Sequence, residues 1–250
     1  MPVPPESFAP SLFLFAHHDD ELFIAATLKA MVLSGPVTTV WLTRGGLHGR
    51  LRQAESQRAM EALGVPRHSL LEMGLPDSHL LEYLGDVIRR LTRLMEDRRP
   101  AAVFVPAFEG GHLDHDSLQL AAAAAIRRLP GGVRRRPLLF EFPLYHRSGH
   151  RLAVGDFLPG AARTLKTPLR LRDRLLKQKL ARIYNSQRLI LYPLLTLKGG
   201  PMMLHLRGEP YRRVPPGRDY ALPPHPGRLA YEFYTRSKFG DFARAAQSFV

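Results

Sequence analysis

Leu12-Phe13-Leu14-Phe15-Ala16-His17-His18-Asp19-Asp20-Glu21 sets a short apolar run directly before a packed cluster of histidine and carboxylate. A run of that length and composition reads as a buried β-strand from Leu12 to Ala16, and the apolar residues from Leu22 to Leu33 read as a partly buried helix. The same order recurs later. Ala101-Ala102-Val103-Phe104-Val105-Pro106 is a second apolar run that leads to Gly110-Gly111-His112-Leu113-Asp114-His115, with an alanine-rich helix predicted from about Ser117 to Arg128. Both polar clusters therefore fall at strand-to-helix turns, which in an open α/β sheet gather at the carboxyl ends of the strands, where ligands bind.

Working outward, strands are predicted at Val37–Leu42 and Leu138–Phe142, and helices at Arg52–Leu63 and, amphipathic, at about His79–Asp97. The alternation predicts an α/β fold with a Rossmann-like, mostly parallel sheet and helices on both faces. No Gly-x-Gly-x-x-Gly turn follows the first strand, so a dinucleotide is not implied. After Arg147 the pattern weakens into a C-terminal helical and loop extension. It comprises a helical stretch at Leu169–Leu191, a proline-rich passage at Pro210–Pro226 read as an ordered loop, and an alternating strand at Leu229–Tyr234. No repeat or low-complexity linker divides the chain. A single domain over residues 1–250 is expected, with its core at about 8–147 and a substrate-shaping part at about 148–250.

The clusters suggest chemistry by their residue types. His17 and Asp20, three positions apart, would share a face on a first helical turn and leave Asp19 free. A helix N-terminus also tolerates Asp19, Asp20 and Glu21, so an acidic cap beside an incidental histidine is the plainer reading of that cluster alone. The second cluster adds His112 and His115 across the sheet, and Gly110 and Gly111 let the chain bend sharply before them. Together they offer nitrogen and oxygen ligands to a borderline metal such as zinc, plus a spare carboxylate to move a proton.

Ala16-His17-His18-Asp19-Asp20-Glu21 and His112-Leu113-Asp114-His115 resemble the Ala-His-Pro-Asp-Asp-Glu and His-x-Asp-His motifs of the PIG-L or LmbE-like zinc-dependent deacetylases, which remove N-acetyl groups from N-acetylglucosamine-containing substrates. Further likeness lies in Thr43-Arg44-Gly45-Gly46, in Arg52 and Glu55, in Gly74-Leu75-Pro76-Asp77-Ser78, and in Lys179 through Tyr184-Asn185-Ser186-Gln187. The resemblance implies one Zn2+ per chain, or another divalent metal, held by His17, Asp20 and His115. It makes Asp19 the general base toward the attacking water and protonated His112 a stabiliser of the oxyanion. Asp114 then orients His112 or a ligand histidine, and Arg52 and Asp77 hold sugar hydroxyls. The implied partner is an N-acetylated amino-sugar substrate, neutral or anionic. Two departures stand out. His18 replaces the proline and reads as exposed rather than as a spare ligand, and Gly110 stands where some members place an aromatic. Tyr145 or His146 is a candidate replacement, simple packing at a strand end being the other reading.

Composition bounds the rest. With no cysteine, disulfide scaffolds, thiolate metal sites and cysteine nucleophiles are excluded. Met1–Ser7 lacks a basic flank and an apolar core, and the longest apolar run, Leu189–Leu197, is too short to span a bilayer, so a cytoplasmic location without a transmembrane segment is expected. The net charge of +14 is concentrated in arginine, at Arg127-Arg128, Arg134-Arg135-Arg136 and between Arg163 and Arg182. It suits an anionic substrate, an anionic surface or simple solvation. A basic nucleic-acid-binding protein without catalysis is the rival reading. Residues 164–182 contain no aromatic for base stacking, so no stable nucleic-acid partner is expected. A zinc amidase acting on a different sugar-linked amide is the alternative within the enzyme class, and a homo-oligomer stays open.

Overall fold

The computed structural model describes residues 8–130, 136–160, 162–189 and 208–249. Alternation along the first strand, β1 (Ser11–Phe15), sends Leu12 and Leu14 into one hydrophobic core and Phe13 and Phe15 into another on the opposite face. β4 (Ala102–Pro106) repeats the division, with Val103 and Val105 on the aliphatic side and Ala102 and Phe104 on the aromatic side. On the aromatic side Phe13 stacks on Phe104 at 4.6 Å and Phe104 on Phe140 at 5.2 Å. Strands apolar on both faces are what the centre of a parallel sheet requires, because helices cover both sides.

The sheet has seven strands in the order β3 (Leu70–Leu75), β2 (Val37–Thr43), β1, β4, β5 (Leu138–Phe142), β9 (Gly208–Arg213) and β8 (Thr164–Pro168). β1 pairs in parallel with both β2 and β4, and β5 continues the parallel run before β9 and β8 add antiparallel. Helices α1 (Ala25–Ser34), α2 (Gly49–Leu63) and α5 (Leu171–Ile183) pack on the aromatic face. On the aliphatic face lie α3 (Leu84–Arg98), α4 (Leu113–Arg128) and α6 (Phe239–Gln247). The expected mostly parallel sheet with helices on both faces is therefore observed. The chain leaves β1 and β4 in opposite directions along the sheet, so a crevice opens between their carboxyl ends.

Several elements differ from the sequence expectation. β3 has no clean alternation because its side chains are mostly half-buried or exposed at the sheet edge. α4 begins at Leu113 rather than Ser117, which puts Asp114 and His115 on its first turn. The C-terminal part is more than helix and loop. It supplies β8 and β9, follows a hairpin of β6 (Tyr145–Ser148) and β7 (Arg151–Val154), and ends with the unanticipated α6. The proline-rich passage thus starts as a strand, Pro210 lying in β9 opposite Lys166. Leu229–Tyr234 is not a strand. Leu229 and Tyr231 are buried, but they belong to a loop and a single 3-10 turn at Tyr231–Phe233 with no strand partner, so the alternation came from one turn docking on the core. Among the described residues no helix is long and apolar enough to cross a membrane. Met1–Ser7, Arg134, Arg135, and the parts of the Leu169–Leu191 and Leu189–Leu197 stretches beyond Leu189 lie outside the described residues.

One contact ties the C-terminal strands to the front of the fold. Glu209 of β9, fully buried, accepts hydrogen bonds from the backbone N–H groups of Ala26 (3.0 Å) and Thr27 (2.7 Å), and pairs with the buried ammonium of Lys177 on α5. Its negative charge sits on the N-terminus of α1, where the helix dipole favours it. The acids that the sequence suggested for that role, Asp19 to Glu21, lie upstream in a separate 3-10 turn (Asp20–Phe23). Glu209→Ala leaves a buried ammonium and two helix N–H groups unpaired, so urea unfolding should show a loss of about 3–5 kcal/mol; a loss within about 0.5 kcal/mol would place the site among ordinary surface positions.

Candidate active site

The cluster after β1 is shaped by backbone contacts before any ligand is considered. Thr43 of the neighbouring strand donates its N–H (3.1 Å) and hydroxyl (2.8 Å) to the Ala16 carbonyl, and Asp20 Oδ2 accepts the N–H groups of Ala16 and His17, both at 2.9 Å. The chain turns in a bend here, not a helical turn, and Asp19 adopts φ 121°, a region that few non-glycine residues occupy. Glu21 holds it there. Its buried carboxylate accepts the Asp19 N–H (2.9 Å), the Trp41 indole N–H (3.2 Å) and the Tyr184 hydroxyl. Backbone strain fixed by so many partners is characteristic of a functional position.

With Oδ2 occupied, Asp20 presents Oδ1 to the crevice, 3.2 Å from His115 Nε2 and 4.0 Å from His17 Nδ1, while the two ring nitrogens are 3.2 Å apart. Ligands bonded at about 2.0–2.1 Å around a tetrahedral ion sit about 3.3 Å from one another, so these three atoms match one face of such a site. The set His17, Asp20 and His115 is buried. The crevice favours positive charge. Burial alone would push the His17 imidazole down, yet the hydrogen bond and charge of Asp114 and the charge of Asp20 raise it to about 9. Burial would raise the Asp20 carboxyl too, but the His115 and His17 rings hold it far below the usual carboxylate range.

A second group, His17, His112 and Asp114, is also close enough to hold an ion. Its atoms are already committed. Asp114 Oδ2 accepts the Ser78 N–H (2.7 Å) and faces His17 Nε2 at 3.1 Å, its Oδ1 accepts the Leu80 N–H (3.0 Å), and His112 Nδ1 accepts the Asp114 N–H (3.1 Å). Asp114 therefore orients the ligand-set histidine, His17, and not the ring of His112, and its carboxyl is lowered to about 2, burial being outweighed by His17. This arrangement of carboxylate, histidine and metal position fixes the ring and raises its basicity.

His112 caps α4, and its ring packs edge-on to His17 at 4.5 Å. With Nδ1 accepting, the hydrogen belongs on Nε2. Burial, with the charges of His17 and His115, keeps the ring neutral far below its ordinary pKa. It is thus placed as a neutral N–H donor, where the sequence resemblance implied an imidazolium. The Asp19 carboxyl is raised to about 7 by burial, against the opposing charge of Arg52, whose Nη2 donates to Asp19 Oδ2 at 3.3 Å and to the His18 carbonyl at 2.6 Å. Arg52 also faces Asp77 at 3.6 Å, and Asp77 accepts the Gly45 N–H at 3.0 Å. All eight sequence candidates therefore gather in one cluster, with Asp114 directly behind His17.

Other expectations change. His18 is fully buried, not exposed. It stacks on Trp41 at 5.4 Å, its Nδ1 lies 3.1 Å from the Ser56 hydroxyl, and burial lowers it to about 4. Lys179 is exposed, and the buried lysine of α5 is Lys177. Tyr145 enters the crevice with its ring 5.8 Å from His115, whereas His146 turns away to face Glu109 at 3.6 Å. Gly110 has φ +69°, and a Cβ there would meet Leu229 at 2.7 Å; at Gly111 a Cβ would lie 2.0 Å from the Tyr145 carbonyl oxygen. The two glycines thus admit Tyr145 and Leu229, and an aromatic at Gly110 has no room. Tyr234 was missed altogether. Its hydroxyl donates to the Gly111 carbonyl at 2.7 Å and its ring is 6.0 Å from His112, a placement made by a loop whose alternating pattern read as a strand.

Residues 12–126 match the family model described as PIG-L, GlcNAc-PI de-N-acetylase. No protein of curated function matches the sequence. Among solved structures, a deacetylase of the teicoplanin biosynthesis pathway superposes with a TM-score of 0.61 at 15% identity, covering 83% of this chain and 99% of that one. The N,N'-diacetylchitobiose deacetylase from Pyrococcus horikoshii superposes at 0.60 with 17% identity, covering 85% and 86%. The fold also serves GalB, the 4-carboxy-2-hydroxymuconate hydratase from Pseudomonas putida KT2440, at a TM-score of 0.53 and 15% identity over 83% and 97%.

The geometry separates the two candidate metal groups by experiment. Asp20→Ala and His115→Ala should abolish stoichiometric binding of a divalent ion, read by elemental analysis after dialysis. Asp114→Asn should weaken it roughly 10–100-fold in chelator competition. His112→Ala should leave the metal content unchanged; its loss would favour the group of His17, His112 and Asp114.

Proposed function

We propose, from the PIG-L domain that residues 12–126 of this chain form, that the protein hydrolyses the N-acetyl group of an N-acetylglucosamine-type sugar or its conjugate. The observation that carries this reading is the three-donor face of His17, Asp20 and His115, whose fourth side is bordered by Asp19, His112 and Tyr145. The nitrogen and oxygen donors suit zinc, with other divalent ions possible. A dication held there would act as a Lewis acid and make water a nucleophile near neutral pH.

The chain's own groups supply the rest. Asp19 takes the proton of the attacking water, its position fixed by Glu21 and its basicity maintained by burial. His112 donates its Nε2–H to the amide oxygen as charge develops, acting without a change of its own protonation. Asp19 then passes the proton taken from water to the amide nitrogen as the C–N bond of the tetrahedral intermediate breaks, giving acetate and the free amino sugar. Arg52 and Asp77 offer a donor and an acceptor to the sugar hydroxyls. The β6–β7 hairpin and the loop that carries Tyr234 shape the side of the crevice that meets the remainder of the substrate.

Acetate release from N,N'-diacetylchitobiose and other N-acetylglucosamine conjugates, with and without chelator, tests the reading. Chelator-sensitive release supports it; metal binding without acetate release from any of them would redirect it to another amide. Asp19→Asn should keep its metal and lose about 10²–10⁴-fold in kcat. Because Asp19 must be unprotonated, kcat/KM should rise with pH through an acid limb at or below about 7, the cation's charge drawing it downward from the metal-free value. An Asp19→Asn enzyme with most of its turnover would remove Asp19 from the base role.

A further inference from the structure

Phe233, half exposed beside the crevice, is covered by two arginines. The Arg147 guanidinium lies 4.2 Å from the ring centroid and that of Arg228 4.0 Å. Sharing one ring, the two cations are at most about 8 Å apart. Each spends one donor on a backbone carbonyl, Arg147 on Gly149 at 3.0 Å and Arg228 on Glu232. Neither pairs with a carboxylate among the described residues. Glu232, the nearest acid in sequence to Phe233, is turned to the N–H groups of Leu229 (2.9 Å) and Phe239 (3.0 Å).

The placement of this clamp links it to the reaction site. Arg147 is two residues from Tyr145 on β6, and side chains two apart on a strand share a face, so it extends the face on which Tyr145 meets His115. Phe233 directly precedes Tyr234, which is bonded to the Gly111 carbonyl and adjoins His112. Stacking holds each guanidinium plane while leaving its edge donors available, and preorganised forks of that kind match phosphate and carboxylate oxygens.

We propose that Arg147 and Arg228, set by Phe233, form an anion subsite at the mouth of the crevice and select amino-sugar substrates that carry a phosphate or carboxylate outside the acetamide; this rests on the reading of the His17, Asp20 and His115 pocket as the reaction site. It also gives part of the net charge of +14 a local use. Two like charges held close together and unpaired are stabilised by an anion that bridges them, and the cost of ordering their side chains is already met by the ring.

Binding and turnover test the two readings separately. Calorimetric titration of the purified protein with N-acetylglucosamine, its 1-phosphate and its 6-phosphate should show at least one phosphate bound roughly tenfold more tightly than the neutral sugar. That ratio should fall toward one in R147Q/R228Q and in high salt. R89Q/R93Q, which removes the same charge from α3, should retain the ratio. Equal affinities for all three sugars, or a preference that survives in R147Q/R228Q, would overturn the proposal. Acetate release, measured in parallel, bears on the deacetylase reading alone, so phosphate selectivity without acetate would retain the subsite and discard that reaction.

Discussion

The parallel pairing of β1 with β2 on one side and β4 on the other is the constraint from which the site follows. Because the chain departs from these two central strands in opposite directions, the loops after Phe15 and Pro106 face each other across a crevice that no crossover fills. One loop brings His17, Asp19 and Asp20; the other leads to His112 and His115. The backbone ladders of β1, β4 and β5 fix the spacing of the strands, and so of the loops, while the stacked rings of Phe13, Phe104 and Phe140 pack one face beneath them.

On that frame, buried charge is arranged in two tiers. Groups that face the crevice, His17, Asp20 and His115, point free atoms at a common centre, and groups behind them spend every oxygen on backbone N–H or on a ring. Asp114 is the clearest example, with Ser78, Leu80 and His17 as its partners. Glu21 performs the same service for Asp19, and its link to Tyr184 reaches the end of α5. Buried acids left unpaired are costly, so this saturation lets several carboxylates coexist within one turn of chain. The fold alone does not decide the reaction, since a structure of the same fold is a hydratase.

Much of the frame was legible in the sequence because apolar runs such as residues 12–15 and 102–105 are unambiguous when buried on both faces. Six of the eight candidate residues were legible because both clusters sit at strand ends; Arg52 and Asp77 lie in neither cluster and were suggested only by the family resemblance. What the sequence hid was non-local. His18 looked exposed beside acids, yet Trp41 and Ser56, distant in the chain, bury it. Glu209 caps α1 from across more than half the chain, and Tyr234 reaches the crevice from a loop whose alternation mimics a strand. The roles of Asp114 and His112 turned on which ring nitrogen faces which partner, a matter of rotamer that no spacing encodes.

Anomalous diffraction at the zinc edge, from crystals grown with zinc, tests the central claim most directly. One peak is expected, bonded at about 2.0–2.1 Å to His17 Nδ1, Asp20 Oδ1 and His115 Nε2, with Asp114 against the outer nitrogen of His17. A peak on His112 and Asp114, or none in the crevice, would contradict it.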